Sequence, residues 1–343
     1  MELSNRKRAV LEAIVKAYIK TGEPVGSKIL VGLMENAPSS ATLRNEMSEL
    51  CELGFLEQPH ISAGRVPTAN AYRIYVNSLI DSAEINDSTK EYIDSLLSQS
   101  VLSPEQLNNK AAEILSRLTG LTAFSYTAVD TEVTLKQIEI VKISRHTLML
   151  FVITSDGRTR NRICRIDTPF TDEVREKLLD IFKSRLYRKP LYELNKAYLQ
   201  NIIASSLFDS FSLVPILTGV FDMADDAAQI RVDIAGQAGM YNVFGEEKAR
   251  RVLSLMSRSE PIVSICDGID TNEKVLFGDD TAYNDFKNTT MIVAKYGTSQ
   301  SMRSRIGIIG SDRMSYEQII PSVKYMASRL TYMMNEFKKD MED

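Results

Sequence analysis

The sequence contains few of the residues on which catalytic and metal-binding sites depend. Its 343 residues include only two histidines, His60 and His146, and three cysteines, which lie far apart. No two cysteines have the CxxC spacing of a zinc or redox site, and no glycine-rich phosphate loop, GxSxG elbow or HExxH motif occurs. We therefore expect reduced thiols, no metal or cofactor, and a protein that is not an enzyme.

Long hydrophobic runs and an excess of one charge are also absent. The longest uncharged apolar runs, such as LMLFVI at 148–153, are far too short to span a bilayer. The first ten residues, MELSNRKRAV, lack the apolar core of a signal peptide. The chain is therefore predicted to be cytoplasmic, with no membrane as a partner. Its net charge of −4 does not indicate nucleic acid, so any binding of nucleic acid must be local.

The length and composition are those of an ordinary globular protein with two or three domains. Apolar residues make up 44% of the chain and charged residues 25%, and a domain usually holds about 150 residues. The segment SAEINDS, residues 82–88, is predicted to be a flexible linker between domains.

The N-terminal residues have the pattern of short amphipathic helices. Residues 3–19 repeat apolar side chains at helical spacing, and a second short helix is predicted in EPVGSKILVGLM. The apolar residues of this second helix are expected to face inward: Val25, Ile29, Leu30 and Leu33.

A third helix is indicated by its ends. Ser39 or Ser40 offers an oxygen for the N-cap, and Gly54 follows as the stop. Between them, one helical stripe is apolar and is expected to be buried: Leu43, Met47 and Leu50.

A hairpin follows the third helix. GFLEQP reads as one strand and SAGRVP as its partner, and a helix with Tyr72, Tyr75, Val76 and Leu79 comes next. Three short helices followed by a two-stranded hairpin are typical of the winged helix-turn-helix, whose third helix lies in the DNA major groove. The loop between Pro59 and Val66 would then be the wing.

Two sets of residues are candidates for DNA contact. Arginine suits the O6 and N7 atoms of guanine and asparagine suits N6 and N7 of adenine, while small and basic wing residues suit phosphate or the minor groove. The candidates on the third helix are Ser39, Ser40, Thr42, Arg44 and Asn45, and those on the wing are His60, Ser62, Gly64 and Arg65.

Other interpretations of these features stay open. An amphipathic helix is usually a surface helix, and a loop rich in proline and glycine is usually only a loop. The local charge does not decide between them, because residues 1–80 carry nine Lys and Arg against eight Glu. A capping or core role is as reasonable for His60 as a DNA contact, whereas Arg65 is expected to lie at the wing tip, where its charge is exposed.

The N-terminal motifs closely resemble the family of heat-inducible transcription repressors called HrcA. The resemblance rests on YIKTGEPVGSKIL, SSATLRNEMSELCELGFLEQPHISAGRVPT and AYRIYV, of which EQPHISAGRVPT is the most discriminating. It implies a sequence-specific repressor of chaperone operons that binds an inverted-repeat operator in double-stranded DNA as a homodimer. It also implies a dependence on the GroE-type chaperonin.

Two strand-rich segments carry a weaker resemblance further along the chain. Residues 135–166 read as two or three strands, and 289–311 read as a strand-turn-strand unit that precedes a long helix from about Tyr316 to Phe337. Both units resemble halves of the GAF-like domain of the family, which an inserted dimerisation domain interrupts.

The overall prediction is an α+β chain of several domains. It comprises a winged helix-turn-helix domain at 1–82, and linker helices with the first part of a GAF-like α/β domain at 83–166. A helical dimerisation domain is inserted at 167–236, and the second part of the GAF-like domain occupies 237–343. Without the resemblance, 167–236 would read as a helical subdomain packed on its own sheet.

A second function class competes with the chaperonin-dependent repressor. A ligand-gated regulator would sense a small molecule through its GAF-like domain and pass the signal to the winged helix. A polar pocket would favour this alternative.

Overall fold

The computed structural model describes residues 3–80, 82–98, 103–128, 131–205, 210–297 and 304–342. The chain begins with the predicted winged helix-turn-helix, in which two short antiparallel strands follow three helices. Its elements are α1 (Asn5–Thr21), α2 (Ser27–Leu33), α3 (Ser40–Glu52), β1 (Leu56–Glu57), β2 (Val66–Pro67) and α4 (Ala69–Ile80).

Local capping sets the limits of α1 and α3. The hydroxyl of Ser4 accepts from the Lys7 N–H at the start of α1, and the helix ends at Gly22, whose φ of 71° suits glycine. Ser39 caps α3 by accepting from the Thr42 N–H. The predicted apolar stripe of α3 is confirmed, because all three of its residues are buried.

The prediction for the inner face of α2 is wrong in part. Leu30 and the preceding Val25 are buried, but Ile29 and Leu33 are 58% and 55% exposed. Successive residues of a helix lie about 100° apart, so Ile29 and Leu33 share a stripe that differs from that of Leu30. The inward stripe contains Ser27, whose hydroxyl lies 2.9 Å from that of Ser40 on α3.

The remainder of the chain contains both helices and strands. Two helices and a strand come first: α5 (Asp87–Ser98), α6 (Pro104–Thr119) and β3 (Thr122–Tyr126). A second group contains β4 (Leu135–Lys142), β5 (Thr147–Thr154), β6 (Thr159–Arg165), α7 (Asp172–Ile181), α8 (Lys196–Ser205) and α9 (Ser210–Ala228). The last group contains β7 (Val232–Ala235), α10 (Gln237–Phe244), α11 (Glu246–Met256), α12 (Ser259–Asp267), β8 (Glu273–Phe277), β9 (Thr290–Lys295), β10 (Arg305–Gly310) and α13 (Tyr316–Glu342).

One antiparallel sheet of five strands has the order β7-β3-β10-β9-β8. The helices α6 and α13 pack on one face, where Ile306 and Ile308 point, and α10 to α12 contribute to the core on the other face with Phe124 and Val293. The alternation of side chains along each strand supplies both faces with apolar residues. The two strands of the unit predicted near the C-terminus are confirmed as β9 and β10, which pair with each other, while most of the predicted turn lies outside the described residues.

The strands β4, β5 and β6 form a separate antiparallel sheet of three strands. The expected grouping of 135–166 with the C-terminal strand pair is therefore wrong, because α7 to α9 cover the inner face of this sheet and form one core with it. Leu148, Leu150 and Val152 are fully buried on that face. The strand β7 pairs with β3, so residues 232–235 belong to the five-stranded sheet and not with the helices that precede them.

The winged helix-turn-helix packs directly on the C-terminal helix. Tyr72 and Tyr75 on α4 lie 6.2 and 6.3 Å, centroid to centroid, from the ring of Tyr316 at the start of α13. Arg73 donates to Asp280 at 2.6 Å and lies over the ring of Phe277. These contacts join the N-terminal unit and the five-stranded sheet in one hydrophobic core.

Segment 82–86 separates α4 from α5, whereas residues 87 and 88 of the predicted linker form the start of α5. Of the thiols, those of Cys164 and Cys266 are buried, and burial raises the pKa of Cys266 to about 12. Within the described ranges, no helix has the length and apolar character needed to cross a bilayer.

Candidate nucleic-acid interface

The outer face of α3 presents two side chains suited to base recognition. Arg44 and Asn45 are exposed, opposite the buried stripe that anchors the helix. Between them they offer a planar donor group and an amide that both donates and accepts, the pairing chemistry of guanine and adenine. Ala41, one turn before Asn45, is also exposed and leaves room for a close approach.

The three hydroxyl candidates on α3 already make hydrogen bonds within the protein. Ser39 caps the helix, and its oxygen lies 2.9 Å from the hydroxyl of Thr42. Ser40 is paired with Ser27 of α2. These residues fix the start of α3, and a role for them at DNA would come in addition to that bonding.

Two ion pairs connect α1 to the recognition helix α3. Arg6 donates from Nε to Oε1 of Glu46 at 2.6 Å, and its Nη2 contacts the same oxygen. Lys7 pairs with Glu49 at 2.6 Å, and this hydrogen bond raises the pKa of the lysine and lowers that of the carboxyl. Neither pair follows from the sequence pattern used for α3, although the basic run at residues 6–8 is a signal that points to such pairing.

The wing is a compact loop whose tip is apolar. The side-chain amide of Gln58 donates to the carbonyl groups of Ile61 and Ala63 at 2.8 and 3.1 Å, which closes the loop across its base. Ile61 at the tip is 100% exposed. His60 and Ser62 flank it and are exposed as well. Residues 60–62 are therefore exposed to solvent at the tip of the wing.

Arg65 lies at the root of the wing, so its predicted place at the tip is wrong. Its N–H donates to the Val25 carbonyl at 2.8 Å, and the Val25 N–H donates to the Arg65 carbonyl at 2.9 Å. The arginine is half-buried, and its Nε has no hydrogen-bond partner among the described residues. The physical reason is strand-like pairing with the loop before α2, which holds the backbone of Arg65 against the protein.

Gly64 packs against the same loop. A Cβ at this position would lie 2.5 Å from the carbonyl carbon and oxygen of Val25 and 2.8 Å from the carbonyl carbon of Pro24. The absence of a side chain therefore permits the two backbones to approach each other. This internal contact accounts for the glycine without any contact to a phosphate.

Acidic and thiol residues do not form a competing centre in the part of the chain that the structure describes. No group of three or more His, Cys, Asp or Glu side chains there is arranged to hold a metal ion.

Comparisons with known proteins match two protein families to the N-terminal part of the chain and to most of the rest. Residues 2–80 match the family described as "Winged helix-turn-helix transcription repressor, HrcA DNA-binding", and residues 105–320 match "HrcA protein C terminal domain". The heat-inducible transcription repressor HrcA of Brevibacillus brevis is 30% identical over 98% of this chain and 100% of that protein. HrcA of Acetivibrio thermocellus is 29% identical over 96% of both chains.

A solved structure has the same fold over nearly the whole chain. It is a crystal structure described only as that of a hypothetical protein, with a TM-score of 0.72 and 20% sequence identity. It covers 98% of this chain and 100% of its own. At this identity the likeness extends to the fold and not to the function.

Proposed function

Because this chain belongs to the HrcA family of DNA-binding transcription repressors, we propose that it represses heat-shock chaperone operons by binding an inverted-repeat operator as a homodimer. The observation that carries the proposal is the pair Arg44 and Asn45, exposed on a recognition helix whose opposite stripe is buried. Such a helix can enter the major groove without disturbing the core beneath it. Ser39, Ser40 and Thr42 would hold the start of the helix close to the DNA backbone.

The wing is proposed to hold the DNA backbone beside the groove. His60 and Ser62 project at its tip, where they can donate to phosphate or enter the minor groove. Gly64 and Arg65 are fixed at its root. For Arg65, the proposed role is to supply positive charge near a phosphate from a half-buried position.

The domain organisation is proposed from sheet pairing and shared cores. Residues 1–82 form the winged helix-turn-helix domain, and the five-stranded sheet with its flanking helices forms the GAF-like domain. The three-stranded sheet and α7 to α9 have a core of their own. The inserted domain would therefore run from about residue 131 to 228, in place of the 167–236 expected from sequence.

The outer face of the three-stranded sheet is the proposed dimer surface. Val141, Met149 and Ile163 are directly opposite one another across β4, β5 and β6, on the face away from α7 to α9. Val141 is 48% exposed and Ile163 is 63% exposed. An inverted repeat requires two copies of the reading helix related by a two-fold axis. A second copy seated on this apolar row would supply that arrangement.

Dependence on a GroE-type chaperonin is proposed from the topology of the fold. Ser125 on β3 pairs with Ile306 on β10, and the whole inserted domain lies between them in sequence. Such long-range pairing is slow to form and exposes strand edges and apolar surface meanwhile. A folding chamber that shields this surface would set the amount of active repressor.

The experiment that tests the proposed function is selection of DNA by the purified protein. Genomic fragments retained by the chain should be enriched in an inverted repeat upstream of chaperone operons. The Arg44→Ala/Asn45→Ala double variant is the control, and it should lose this enrichment while it keeps the thermal stability of the unchanged chain. Retention of fragments without a common repeat would overturn the proposal.

A cavity favours ligand gating as a second candidate function. Its volume is about 420 Å³, and it lies between segment 84–89, the end of α6 and the start of α13. Its lining includes Asn86, Arg313 and Gln318, and α13 also packs on α4 of the winged helix. A ligand there would raise the melting temperature in a metabolite screen and change operator affinity. A screen without any shift would remove this candidate.

A further inference from the structure

Arg6 is a cation placed at the flank of the recognition helix. It lies on the first turn of α1, 40 positions before Glu46 on α3, and its side chain is 63% exposed although it is paired. Glu46 is only 4% exposed and lies at the edge of the buried stripe, on the turn that carries Arg44 and Asn45. The pair therefore joins a fixed, buried carboxylate to a guanidinium that reaches solvent beside the reading face.

The pairing leaves most of the guanidinium free to bond elsewhere. Nε and Nη2 both contact the single oxygen Oε1 of Glu46. A guanidinium has five N–H groups, so, as far as the described residues go, the Nη1 group and one N–H of Nη2 remain for another acceptor. Because both contacts are to one carboxylate oxygen, Glu46 holds the guanidinium beside α3 before DNA arrives, while its plane can still turn about that oxygen.

The dimensions of DNA put this group near the sugar-phosphate backbone. The major groove is about 12 Å wide, and a helix with its side chains is about 10–12 Å across. A helix in the groove therefore fills it from wall to wall. A cation held at the flank of that helix lies at the wall, which the phosphates line.

We propose that Arg6 binds a DNA phosphate at the edge of the major groove and that Glu46 is the positioning residue that holds it there. The proposal rests on the proposed function, because it presumes that α3 enters the groove. It adds a contact on the flank of α3 that α1 supplies, outside the recognition helix and the wing. The contact would set how deeply Arg44 and Asn45 enter, while it carries no sequence information itself.

A purely structural role for the pair is the alternative, and three variants separate the two. Arg6→Gln removes the cation, and Arg6→Gln/Glu46→Gln also removes the carboxylate that would be left buried without its partner. Arg8→Gln is the matched control for charge. Arg8 is exposed two residues further along α1, about 200° around the helix, so that it points away from α3. Affinity for the selected operator is measured at several salt concentrations, with thermal unfolding of each variant.

If Arg6 binds a phosphate, both the single and the double variant should bind the operator more weakly than the unchanged chain. Arg6→Gln should weaken operator binding about tenfold and reduce the slope of log K against log salt by about 0.9, because one phosphate contact is lost. The double variant should show the same reduced slope, since it restores charge balance but not the contact. Arg8→Gln should change affinity less than about threefold. If Arg6→Gln does not fold, the salt slope of the double variant tests the phosphate contact by itself.

Two outcomes overturn the proposal. If the double variant binds with the affinity and salt slope of the unchanged chain, Arg6 only neutralises Glu46. If Arg8→Gln weakens binding as much as Arg6→Gln, the effect is one of general charge. Failure of the unchanged chain to bind any inverted repeat is a different result, which rejects the proposed function before the variants are compared.

Discussion

Val25 and Arg65 exchange two backbone hydrogen bonds, of 2.9 and 2.8 Å, that attach the root of the wing to the loop between α1 and α2. The hairpin itself has only two residues in each strand, which is too short to fix a direction by its own pairing. The bridge to Val25 extends that pairing by one strand-like position. The angle at which the wing leaves the domain therefore depends on a loop that precedes α2.

Gly64→Ala should destabilise the wing root. A Cβ would lie 2.5 Å from the Val25 carbonyl, so the bridge must open to accommodate it, at a cost of about 2 kcal/mol. Thermal unfolding measures the loss, and Ala63→Gly is a control that alters the neighbouring position without adding an atom. An alanine variant with unchanged stability and operator affinity would show that the contact between the two backbones is not required.

Arg65→Ala should change the salt dependence of DNA binding more than the fold. Both bonds to Val25 come from the backbone and survive the substitution. If the side chain binds one phosphate, the slope of log K against log salt should fall by about 0.9, while the ranking of operator variants is preserved. Binding titrations at several salt concentrations measure the slope. An unchanged slope in a folded variant would remove Arg65 from the interface.

Arg44→Ala should relax sequence preference at one base pair. An arginine that pairs with guanine contributes about 1–3 kcal/mol of discrimination. The free energy of binding to the operator should therefore weaken by that amount, and that of binding to random DNA should not change. Competition between operator variants, read for each position, identifies the base pair. Equal weakening on operator and random DNA would make Arg44 a phosphate contact and leave Asn45 as the base reader.

The sequence predicted those parts of the fold that local chemistry determines. The caps and apolar stripe of α3 and the spacing along α13 follow from side chains within a few turns of each other, and both predictions are confirmed. The inner face of α2 was assigned wrongly because a helix of seven residues has two apolar stripes of similar quality. The packing of α2 on α3, which buries Leu30 and brings Ser27 to Ser40, selects the correct one.

Long-range pairing accounts for the remaining differences between the predictions from sequence and the structure. Strands β4 and β6 carry several charged residues, whereas β9 and β10 are mostly apolar and almost entirely buried, but the pattern within a strand does not say which strand it pairs with. The position of Arg65 is set by Val25, 40 residues earlier in the chain, and that of Arg6 by Glu46. A basic residue in a loop of small residues predicts an exposed tip, and tertiary pairing places Arg65 at the root instead.

Asp233→Asn should stabilise the protein at neutral pH and not at acidic pH. Burial, with a smaller contribution from Glu105, raises the pKa of Asp233 to about 6. A raised carboxyl pKa means that the folded chain binds more protons than the unfolded chain between about pH 4 and 6, so the stability contributed by this group is lost as the pH rises through that window. Asp233 is partly exposed, which limits the gain at pH 7 to about 1 kcal/mol.

Denaturant unfolding of the unchanged chain and the Asn variant at pH 4 and pH 7 measures this difference. Asp270→Asn is the control, because that residue is an exposed carboxyl. Equal effects of the Asp233 substitution at both pH values would contradict the assignment.

Ile163→Asp should dissociate the proposed dimer. Ile163 is the most exposed residue of the apolar row on β4 to β6, and burial of an aspartate in that row without a partner would cost several kcal/mol in each copy. The fold should tolerate the change, because the side chain points away from the core formed with α7 to α9. Operator affinity should fall with it, since two linked half-site contacts become one.

Sedimentation of the variant measures its oligomeric state, and Tyr192→Asp is the matched control. Tyr192 is equally exposed and apolar but lies on the helical side of the same core, next to Leu191. A monomer for Ile163→Asp and a dimer for Tyr192→Asp would place the two-fold axis on the sheet. The reverse result would transfer the interface to the helical segment 167–236, where the sequence pattern first suggested it. If both variants remain dimeric, neither surface holds the copies together. A different surface would then have to relate the two copies that bind the two half-sites.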